Sequence, residues 1–220
     1  MKVAHIADTH IRNYNYHKEY REIFDQIYDR LREEKVDYIV HCGDLAHTKT
    51  QLSPEYFDLA TSFLKNLADI APTYVILGNH DGNLKNDNRQ DAITPIVNAL
   101  RHPNLNLLKN SGEIHATGGI TFNVLSVFDE ENWVKPSSDM RIIAGHDYVF
   151  LGDIHKTNQI LDDEGRVRYP GSTVQQNFGE TNDKGFLLWD IQSKDDFTCK
   201  HIVIENPKPF ITINLTPTGR

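Results

Sequence analysis

Four short polar motifs in this sequence each come directly after a run of apolar residues. The motifs are Asp8-Thr9-His10, His41-Cys42-Gly43-Asp44, Gly78-Asn79-His80-Asp81 and Gly152-Asp153-Ile154-His155. Ligands bind at the carboxyl ends of strands in an α/β sheet, so four strand ends that carry Asp, His and Asn predict a metal site on one rim. This mixture of carboxylate, imidazole and amide oxygen suits Mn²⁺, Fe²⁺ or Zn²⁺ better than Ca²⁺ or a thiolate site.

The spacing of the donors also indicates a metal site. Side chains two residues apart in an extended segment point to the same side, so Asp8 and His10 can reach one ion, and Asp153 and His155 repeat this arrangement. The motifs offer more donors than one tetrahedral ion can use. Two ions about 3.5–4 Å apart that share a bridging carboxylate would use them all, and that arrangement suits phosphoester hydrolysis.

Each motif has an ordinary structural explanation when it is taken alone. Asp8 can cap a turn, Gly43-Asp44 is a common turn signal, and residues 78–82 can form a tight loop. The four motifs occur together, in this order and always at the end of a predicted strand. Their joint occurrence favours a functional site over four unrelated turns.

The elements that must position these motifs change in character along the chain. In the first half, the apolar runs at 3–7, 38–42 and 73–77 predict strands, and periodic apolar residues predict helices over 17–34, from Ser53-Pro54 onward, and over 91–100. In the second half, short β-like runs are separated by turn residues. This order predicts an α/β fold in which two sheets pack together with helices outside.

The composition excludes several other classes of protein. Among the 220 residues, 39% are hydrophobic and 25% are charged, a globular balance that excludes a disordered or collagen-like chain. Two cysteines exclude a disulfide scaffold and favour a reduced, cytoplasmic setting. No apolar run approaches the roughly 20 residues that cross a bilayer, so we expect no membrane partner. The net charge of −8 means that the chain as a whole does not attract nucleic acid.

The motifs resemble those of the calcineurin-like metallophosphoesterases. Two further elements, Tyr169-Pro170-Gly171-Ser172 and Asn177-Phe178-Gly179-Glu180, look like the nuclease subunit of the SbcCD type, whose counterparts work in DNA double-strand break repair and recombination. The resemblance covers nearly the whole chain. It implies a four-layer α/β/β/α sandwich and a Mn²⁺-dependent DNA exonuclease or endonuclease that hydrolyses phosphodiesters with two metal ions.

The resemblance also implies how the metal ligands are divided. Asp8, His10 and His155 would hold one of two divalent ions, which we expect to be Mn²⁺. Asp44 would bridge the two ions, and Asn79 would hold the second.

Two neighbouring residues would take part in the chemistry without binding metal. The resemblance places His80 over the scissile phosphate, where it would stabilise or protonate the leaving oxygen as a general acid. Asp81 would then fix the orientation of the His80 ring through its second nitrogen.

Two departures from the family pattern affect the second ion. Where the family reads Gly-His-x-His, this chain has Asp153, whose carboxylate we expect to replace the histidine as a ligand, because Mn²⁺ accepts carboxylates. The family also has a metal-binding histidine on an earlier strand, and the stretch 137–143 looks like a splice that removes it. His146 is the one local candidate for that ligand, although its neighbours match a non-ligand position. The chain is therefore either a divergent member, such as a phage protein, or a shortened form.

The resemblance sets expectations for domains and partners. The metallophosphoesterase domain would span residues 1–206, and residues 207–220 would be the start of a truncated cap domain or a C-terminal tail. DNA is the expected substrate, and the family binds an SbcC-like ATPase through a C-terminal extension that we expect to be absent here. Family members also dimerise, so a homodimer is expected, in the cytoplasm at the nucleoid or in an infected host.

Two other functions stay open at this point. One is a phosphodiesterase or phosphatase that acts on another substrate, although the Tyr-Pro-Gly-Ser and Asn-Phe-Gly-Glu elements argue against it. The other is a weakly active scaffold for an SbcC-like ATPase, which the missing histidine and Asp153 favour. The metal content separates them, because two ions per chain favour an enzyme and one or none a scaffold.

Overall fold

The computed structural model describes residues 1–86, 88–116, 118–129 and 145–213. The helices in these ranges are α1 (His17–Glu34), α2 (Pro54–Ile70) and α3 (Thr94–Leu100). The strands are β1 (Lys2–Ile6), β2 (Tyr38–Cys42), β3 (Thr73–Ile76), β4 (Leu105–Leu108), β5 (Gly112–His115), β6 (Thr121–Val124), β7 (Val149–Phe150), β8 (Gln159–Ile160), β9 (Val167–Tyr169), β10 (Gly185–Ile191) and β11 (Phe197–Val203).

Six of these strands form one large sheet in the order β11-β10-β1-β2-β3-β4. The neighbours from β1 to β4 pair in parallel, whereas β10 runs antiparallel to both β1 and β11. Parallel strands end at the same edge of a sheet, so the loops after β1, β2 and β3 lie side by side at that edge. These loops carry the first three polar motifs of the sequence.

Helices cover one face of the large sheet because each has an apolar side. α1 buries Tyr20, Ile23, Phe24, Ile27, Tyr28 and Leu31, the residues that the three- and four-residue spacing predicts. Phe24 stacks on Phe63 of α2, with the ring centroids 4.1 Å apart. Together with Ile6, Ile39 and Val75 from the sheet, they form the larger hydrophobic core. No helix in the described ranges is long and apolar enough to span a membrane.

Polar side chains accept backbone N–H groups at the starts of α2 and α3. The Ser53 hydroxyl accepts the backbone N–H of Tyr56 at 3.1 Å, as the Ser-Pro signal predicts for α2. The sequence predicts α3 from residue 91, but the helix begins at Thr94. The Asp91 carboxylate accepts the N–H groups of Ile93 and Thr94, so Asp91 stands outside the helix as a side-chain acceptor for its first turn.

The opposite face of the large sheet packs against two small sheets. One is the antiparallel pair β5–β6, and the other has the order β7-β9-β8. This second core contains Val3, Tyr38, Tyr74 and Trp189 from the large sheet, with Phe122 and Phe150 from the small ones packed against them. The predicted α/β sandwich is confirmed. The helices of the described ranges share one face, so these residues account for three of the four predicted layers: helices, large sheet and small sheets.

The segment after β11 lies on the domain without regular structure up to residue 213. The Phe210 N–H donates to Gln175 Oε1 at 2.9 Å, and Gln175 Nε2 donates back to the Phe210 carbonyl at 3.2 Å. The predicted domain boundary at 206 falls in this segment. Residues 214–220 and the predicted splice at 137–143 lie outside the described residues.

Candidate metal centre

The loops after β1 and β2 are joined to one another at the rim of the large sheet. The Asp8 N–H donates to the Gly43 carbonyl at 3.0 Å, and the His10 N–H donates to the Asp44 carbonyl at 2.9 Å. The loop after β7 reaches the same rim, where the Asp153 N–H donates to both oxygens of the Asp8 carboxylate at 3.0 and 3.1 Å. Three distant parts of the sequence therefore meet at one point.

Four of the predicted ligands have an unusual backbone conformation. The φ angles are +52° for Asp8, +48° for His10, +56° for Asp44 and +80° for Asp153. Residues other than glycine rarely adopt this left-handed region, and strained residues of this kind cluster at functional sites. The hydrogen bonds between the loops hold them in a conformation that the isolated residues disfavour.

A first group of donors consists of Asp8, His10 and His155, whose ligand atoms all lie within 4.8 Å of one another. His10 Nε2 lies 2.9 Å from His155 Nε2 and 4.0 Å from Asp8 Oδ1. Donors about 2.0–2.2 Å from a shared ion lie at most about 4.4 Å apart, so these separations fit a common ion. The residues predicted to hold the first ion are thus brought together.

A second group of donors consists of His10, Asp44 and His80, again within 4.8 Å of one another. His10 Nε2 lies 3.9 Å from Asp44 Oδ2. The other oxygen of the same carboxylate, Asp44 Oδ1, accepts the His80 N–H at 2.8 Å. Asp44 therefore lies next to the first group and faces the loop after β3, a position that suits a bridging carboxylate.

The remaining predicted ligands contact each other at the open side of the centre. Asn79 Nδ2 donates to Asp153 Oδ1 at 2.7 Å. The Asp153 side chain is exposed, whereas Asp8, His10 and Asp44 are 0%, 2% and 2% exposed. All six predicted metal ligands therefore lie in one cluster, but they differ in burial.

The electrostatics of the buried donors fit a bound cation. Burial and the neighbouring charge of Asp44 raise the pKa of Asp8 to about 8. Burial and the nearby His155 ring lower the pKa of His10 to about 2, so this imidazole is neutral, the form that binds metals. Buried carboxylates this close together repel each other, and a divalent cation between them removes that repulsion.

A glycine at position 78 lets the loop after β3 approach Asp44. A Cβ on residue 78 would lie 2.1 Å from Asp44 Oδ1, which is far inside van der Waals contact. Gly43 is needed for a second reason, because its φ is +86° and its own Cβ would lie 2.8 Å from the Gly78 backbone. Both glycines therefore allow the two loops to approach each other closely, which brings Asn79 and His80 to the centre.

Asp81 has a different role from the one that the sequence suggests. Its buried carboxylate accepts the backbone N–H groups of Asp44, Ala46 and Gly78 at 2.8, 2.8 and 2.9 Å. His80 Nδ1 instead lies 2.9 Å from the carbonyl oxygen of His47. The interpretation that Asp81 orients His80 is therefore wrong: the tight Gly78 turn points the Asp81 carboxylate inward, where it ties the loops after β2 and β3 together.

Glu180 is a site residue to which the sequence interpretation gave no role. Glu180 Oε1 lies 2.9 Å from His155 Nδ1, and its other oxygen accepts from Ser172 Oγ and Lys184 Nζ, both at 3.1 Å. Burial favours a neutral carboxyl, but hydrogen bonds from His155, the Gln176 backbone and Lys184 outweigh it and lower the pKa of Glu180 to about 2. The available signal was the Asn-Phe-Gly-Glu element, whose last residue fixes the predicted ligand His155.

Other histidines have structural surroundings. His5 is fully buried, lies 2.9 Å from the Leu151 carbonyl through Nε2, and packs near Phe150 as a histidine of the core. His41 is also buried, with Nε2 2.8 Å from Thr9 Oγ1. His146, the candidate for the missing ligand, lies 2.8 Å from Asn123 Nδ2 and belongs to neither donor group found among the described residues.

This arrangement of donors at the rim of an α/β sandwich defines a class of protein. A family model described as calcineurin-like phosphoesterase matches residues 1–183. The chain belongs to this family.

The relatives are viral, archaeal and bacterial. The uncharacterized protein R555 of Acanthamoeba polyphaga mimivirus is 33% identical over 257 residues, which include 97% of this chain but 19% of the relative. The DNA double-strand break repair protein Mre11 of Halobacterium salinarum is 23% identical over 85% of this chain and 55% of its own length. A subunit of the nuclease SbcCD of Bacillus subtilis is 21% identical over 96% of this chain and 71% of its own length.

The chain corresponds to only part of these relatives. The chain spans about a fifth of the mimivirus relative and about half of the Halobacterium protein. The match to the mimivirus protein extends over 257 positions, more than the 220 residues of this chain, so the relative carries insertions within the shared region.

Proposed function

We propose that this chain is a Mn²⁺-dependent DNA nuclease that hydrolyses phosphodiester bonds with two metal ions. The observation that carries the proposal is the convergence of Asp8, His10, Asp44 and His155 on one rim, with Asn79 and Asp153 beside them. Relatives that are named as a break-repair protein and as part of a nuclease support DNA as the substrate.

The proposed ligands divide into four for the first ion and three for the second, with Asp44 shared between them. Asp8, His10 and His155 would hold the first ion, and Asp44 would bridge to the second, which Asn79 and Asp153 would complete. When bound, two divalent ions supply the positive charge that stabilises a phosphoryl group in its transition state. The second set contains oxygen donors alone, which favours hard ions such as Mn²⁺ or Mg²⁺ over Zn²⁺.

His80 would deliver the proton to the leaving oxygen. Its ring lies edge-on to His10, with centroids 4.8 Å apart, and the side chain is exposed to solvent where a substrate would enter. The His47 carbonyl accepts a hydrogen bond from Nδ1–H, which leaves Nε2 as the atom that can face the phosphate.

The proposal also includes the domain boundary, the substrate, the partners and the cellular setting. The catalytic domain would span residues 1–206, followed by the start of a cap domain or tail. DNA would be the substrate, with an SbcC-like ATPase and a second copy of the chain as partners and a cytoplasmic setting. The likeness to a DNA double-strand break repair protein and to a nuclease subunit supports DNA as the substrate.

One observation favours the scaffold as a second candidate function. Asp153 is exposed and already bonded to Asn79, so the second ion has few and weakly held ligands. A chain that holds one ion would hydrolyse DNA poorly and serve mainly as a partner of an ATPase.

A nuclease assay tests the proposal. Supercoiled plasmid and linear DNA are incubated with the unmodified chain and Mn²⁺, alongside a His80→Ala variant and an EDTA control. We expect metal-dependent degradation that His80→Ala greatly reduces. Equal degradation by both proteins would indicate a contaminating nuclease, and no degradation at any Mn²⁺ concentration would favour the scaffold. Bis(p-nitrophenyl) phosphate, tested in parallel, reports hydrolysis of a phosphodiester that is not DNA.

A further inference from the structure

An exposed group of aromatic rings lies beside the metal centre. It consists of Tyr16, Phe178 and Phe210, which we call the aromatic surface. The Phe210 ring lies edge-to-face with Tyr16 at a centroid distance of 5.7 Å and with Phe178 at 5.0 Å. Phe178 is 65% exposed and Tyr16 is 43% exposed. The half-buried Phe210 ring thus contacts the other two rings, which present much of their surface to solvent.

The turn that carries Phe178 is attached directly to the centre. Asn177 Nδ2 donates to Glu180 Oε1 at 2.9 Å, and the Gly179 N–H donates to Asn177 Oδ1 at 2.8 Å. Glu180 in turn contacts the predicted ligand His155. Phe178 therefore stands on a turn that hydrogen bonds hold without its ring, and the turn is fixed to the residue that positions a ligand.

The Tyr16 end of the aromatic surface is also linked to the centre and carries a positive charge. Arg12 follows His10 by two residues, and its guanidinium carbon lies 6.0 Å from the centroid of the Tyr16 ring. Arg12 Nη2 donates to the Gln176 carbonyl at 2.9 Å, which joins this loop to the turn of Phe178. The centre, a cation and the exposed rings therefore form one continuous surface.

The position and chemistry of these rings point to a ligand. A phenyl ring that stays mostly in water adds little to folding, and contiguous exposed apolar surface marks interaction sites. Aromatic rings beside a cation are the usual means of binding single-stranded nucleic acid, because every base can stack on a ring while the cation attracts the backbone. A duplex keeps its bases stacked inside, where the rings cannot reach them.

We infer that the aromatic surface stacks unpaired bases of single-stranded DNA whose backbone crosses the metal centre. The inference depends on the proposed nuclease function and deepens it, because it names the form of DNA that is held for cleavage. Phe178 and Tyr16 contribute the stacking faces, and Phe210 supports both rings from the side.

Binding of single-stranded DNA tests the inference. Fluorescence anisotropy is measured with a labelled oligonucleotide of about 20 nucleotides, longer than a typical single-strand site, with Ca²⁺ replacing Mn²⁺ to prevent cleavage. We expect Phe178→Ala and Phe178→Leu to weaken binding by about 5- to 100-fold, the range for loss of one stacked base. Phe178→Trp retains a ring and should bind like the unmodified chain. Phe57→Ala removes an exposed aromatic ring on α2 and is the matched control.

Three outcomes would overturn the inference. The first is single-strand binding by Phe178→Ala that equals that of the unmodified chain. The second is normal binding by Phe178→Leu, which would show that apolar contact suffices without stacking. The third is an equal loss of duplex and single-strand binding. Hydrolysis of bis(p-nitrophenyl) phosphate with Mn²⁺ separates the two proposals: its absence in the unmodified chain contradicts the nuclease, whereas its presence with any of the three outcomes contradicts the aromatic surface alone.

Discussion

The metal centre has two halves that differ in burial and in support. The buried half consists of Asp8, His10 and Asp44, which are almost completely inaccessible and are crossed by backbone hydrogen bonds from neighbouring loops. The open half consists of Asn79 and Asp153, which contact each other at the solvent-exposed side. Both halves lie on loops at the rim of the large sheet, but the side chains of the buried half are enclosed by the fold, whereas Asp153 of the open half is exposed to solvent.

This difference predicts two metal ions of unequal affinity. A ligand held by surrounding hydrogen bonds loses little freedom on binding, and fixed ligands bind metal more tightly than mobile ones. His155, the remaining proposed ligand of the first ion, lies 2.9 Å from Glu180 Oε1 through its Nδ1 atom. The exposed Asp153 side chain is held by a hydrogen bond from Asn79 and lacks the enclosure that surrounds Asp8, His10 and Asp44, so the second ion should be the weaker one.

Asp44 is the residue that we propose to bridge both ions, so its loss should have the largest effect. Asp44→Ala removes the proposed bridge and should abolish hydrolysis down to the level of the buffer, with both metal sites lost in calorimetry. Asp163→Ala, at an exposed aspartate, is the control. Retention of one tight ion by Asp44→Ala would show that the two halves bind metal independently.

His80 should affect turnover and not metal affinity. If it acts as a general acid, His80→Ala should lower kcat by about 10²- to 10⁴-fold and leave the Mn²⁺ affinity unchanged. Its ring lies within ligand distance of His10 and Asp44, so the metal titration is essential. A weakened ion in His80→Ala would make His80 a ligand of the open half.

A Glu180 variant tests whether binding of the first ion depends on a residue that is not itself a proposed ligand. Glu180→Gln keeps the size of the side chain but loses the charge that orients His155, and we expect the first ion to bind about 10- to 100-fold more weakly. Glu113→Gln, at an exposed glutamate on β5, is the control. Unchanged binding of the first ion in Glu180→Gln would show that His155 needs no such partner.

The smallest effect is expected from a substitution that adds a stronger metal ligand to the open half. Asp153→His introduces the imidazole that the family has at this position, and histidine tolerates the positive φ of residue 153 better than most residues do. The second ion should bind more tightly and activity at low Mn²⁺ should rise. A loss of activity would indicate that the Asp153 carboxylate is itself needed.

The placement of the polar motifs could be predicted because parallel strands end at the same edge. Once residues 3–7, 38–42 and 73–77 are identified as strands, their last residues must meet, and they do so around Asp8 and Asp44. The helices follow in the same way from apolar periodicity. The start of α3 lies three residues after the predicted one, because Asp91 can be a helical residue or a side-chain acceptor before the helix, and the sequence does not separate these roles.

The roles of Asp81 and Glu180 could not be predicted, because they depend on side-chain direction in three dimensions. Asp81 follows His80 directly, yet the turn at Gly78 sends its carboxylate toward the backbone of Asp44 and away from the ring. Glu180 is 25 residues from His155 in sequence, and the fold alone brings them to 2.9 Å. Irregular loops have no repeating side-chain spacing from which such contacts could be predicted. They can turn the side chains of sequence neighbours apart and bring residues that are distant in sequence together.

The most direct test is a calorimetric titration of the unmodified chain with Mn²⁺. We predict two sites per chain whose affinities differ by at least about tenfold, the effect typical of losing a supporting interaction around a metal. Nuclease activity should rise with occupancy of the weaker site, because hydrolysis by two ions requires both. Two equally tight sites would contradict the division into a buried and an open half, and a single site would contradict the two-metal nuclease itself.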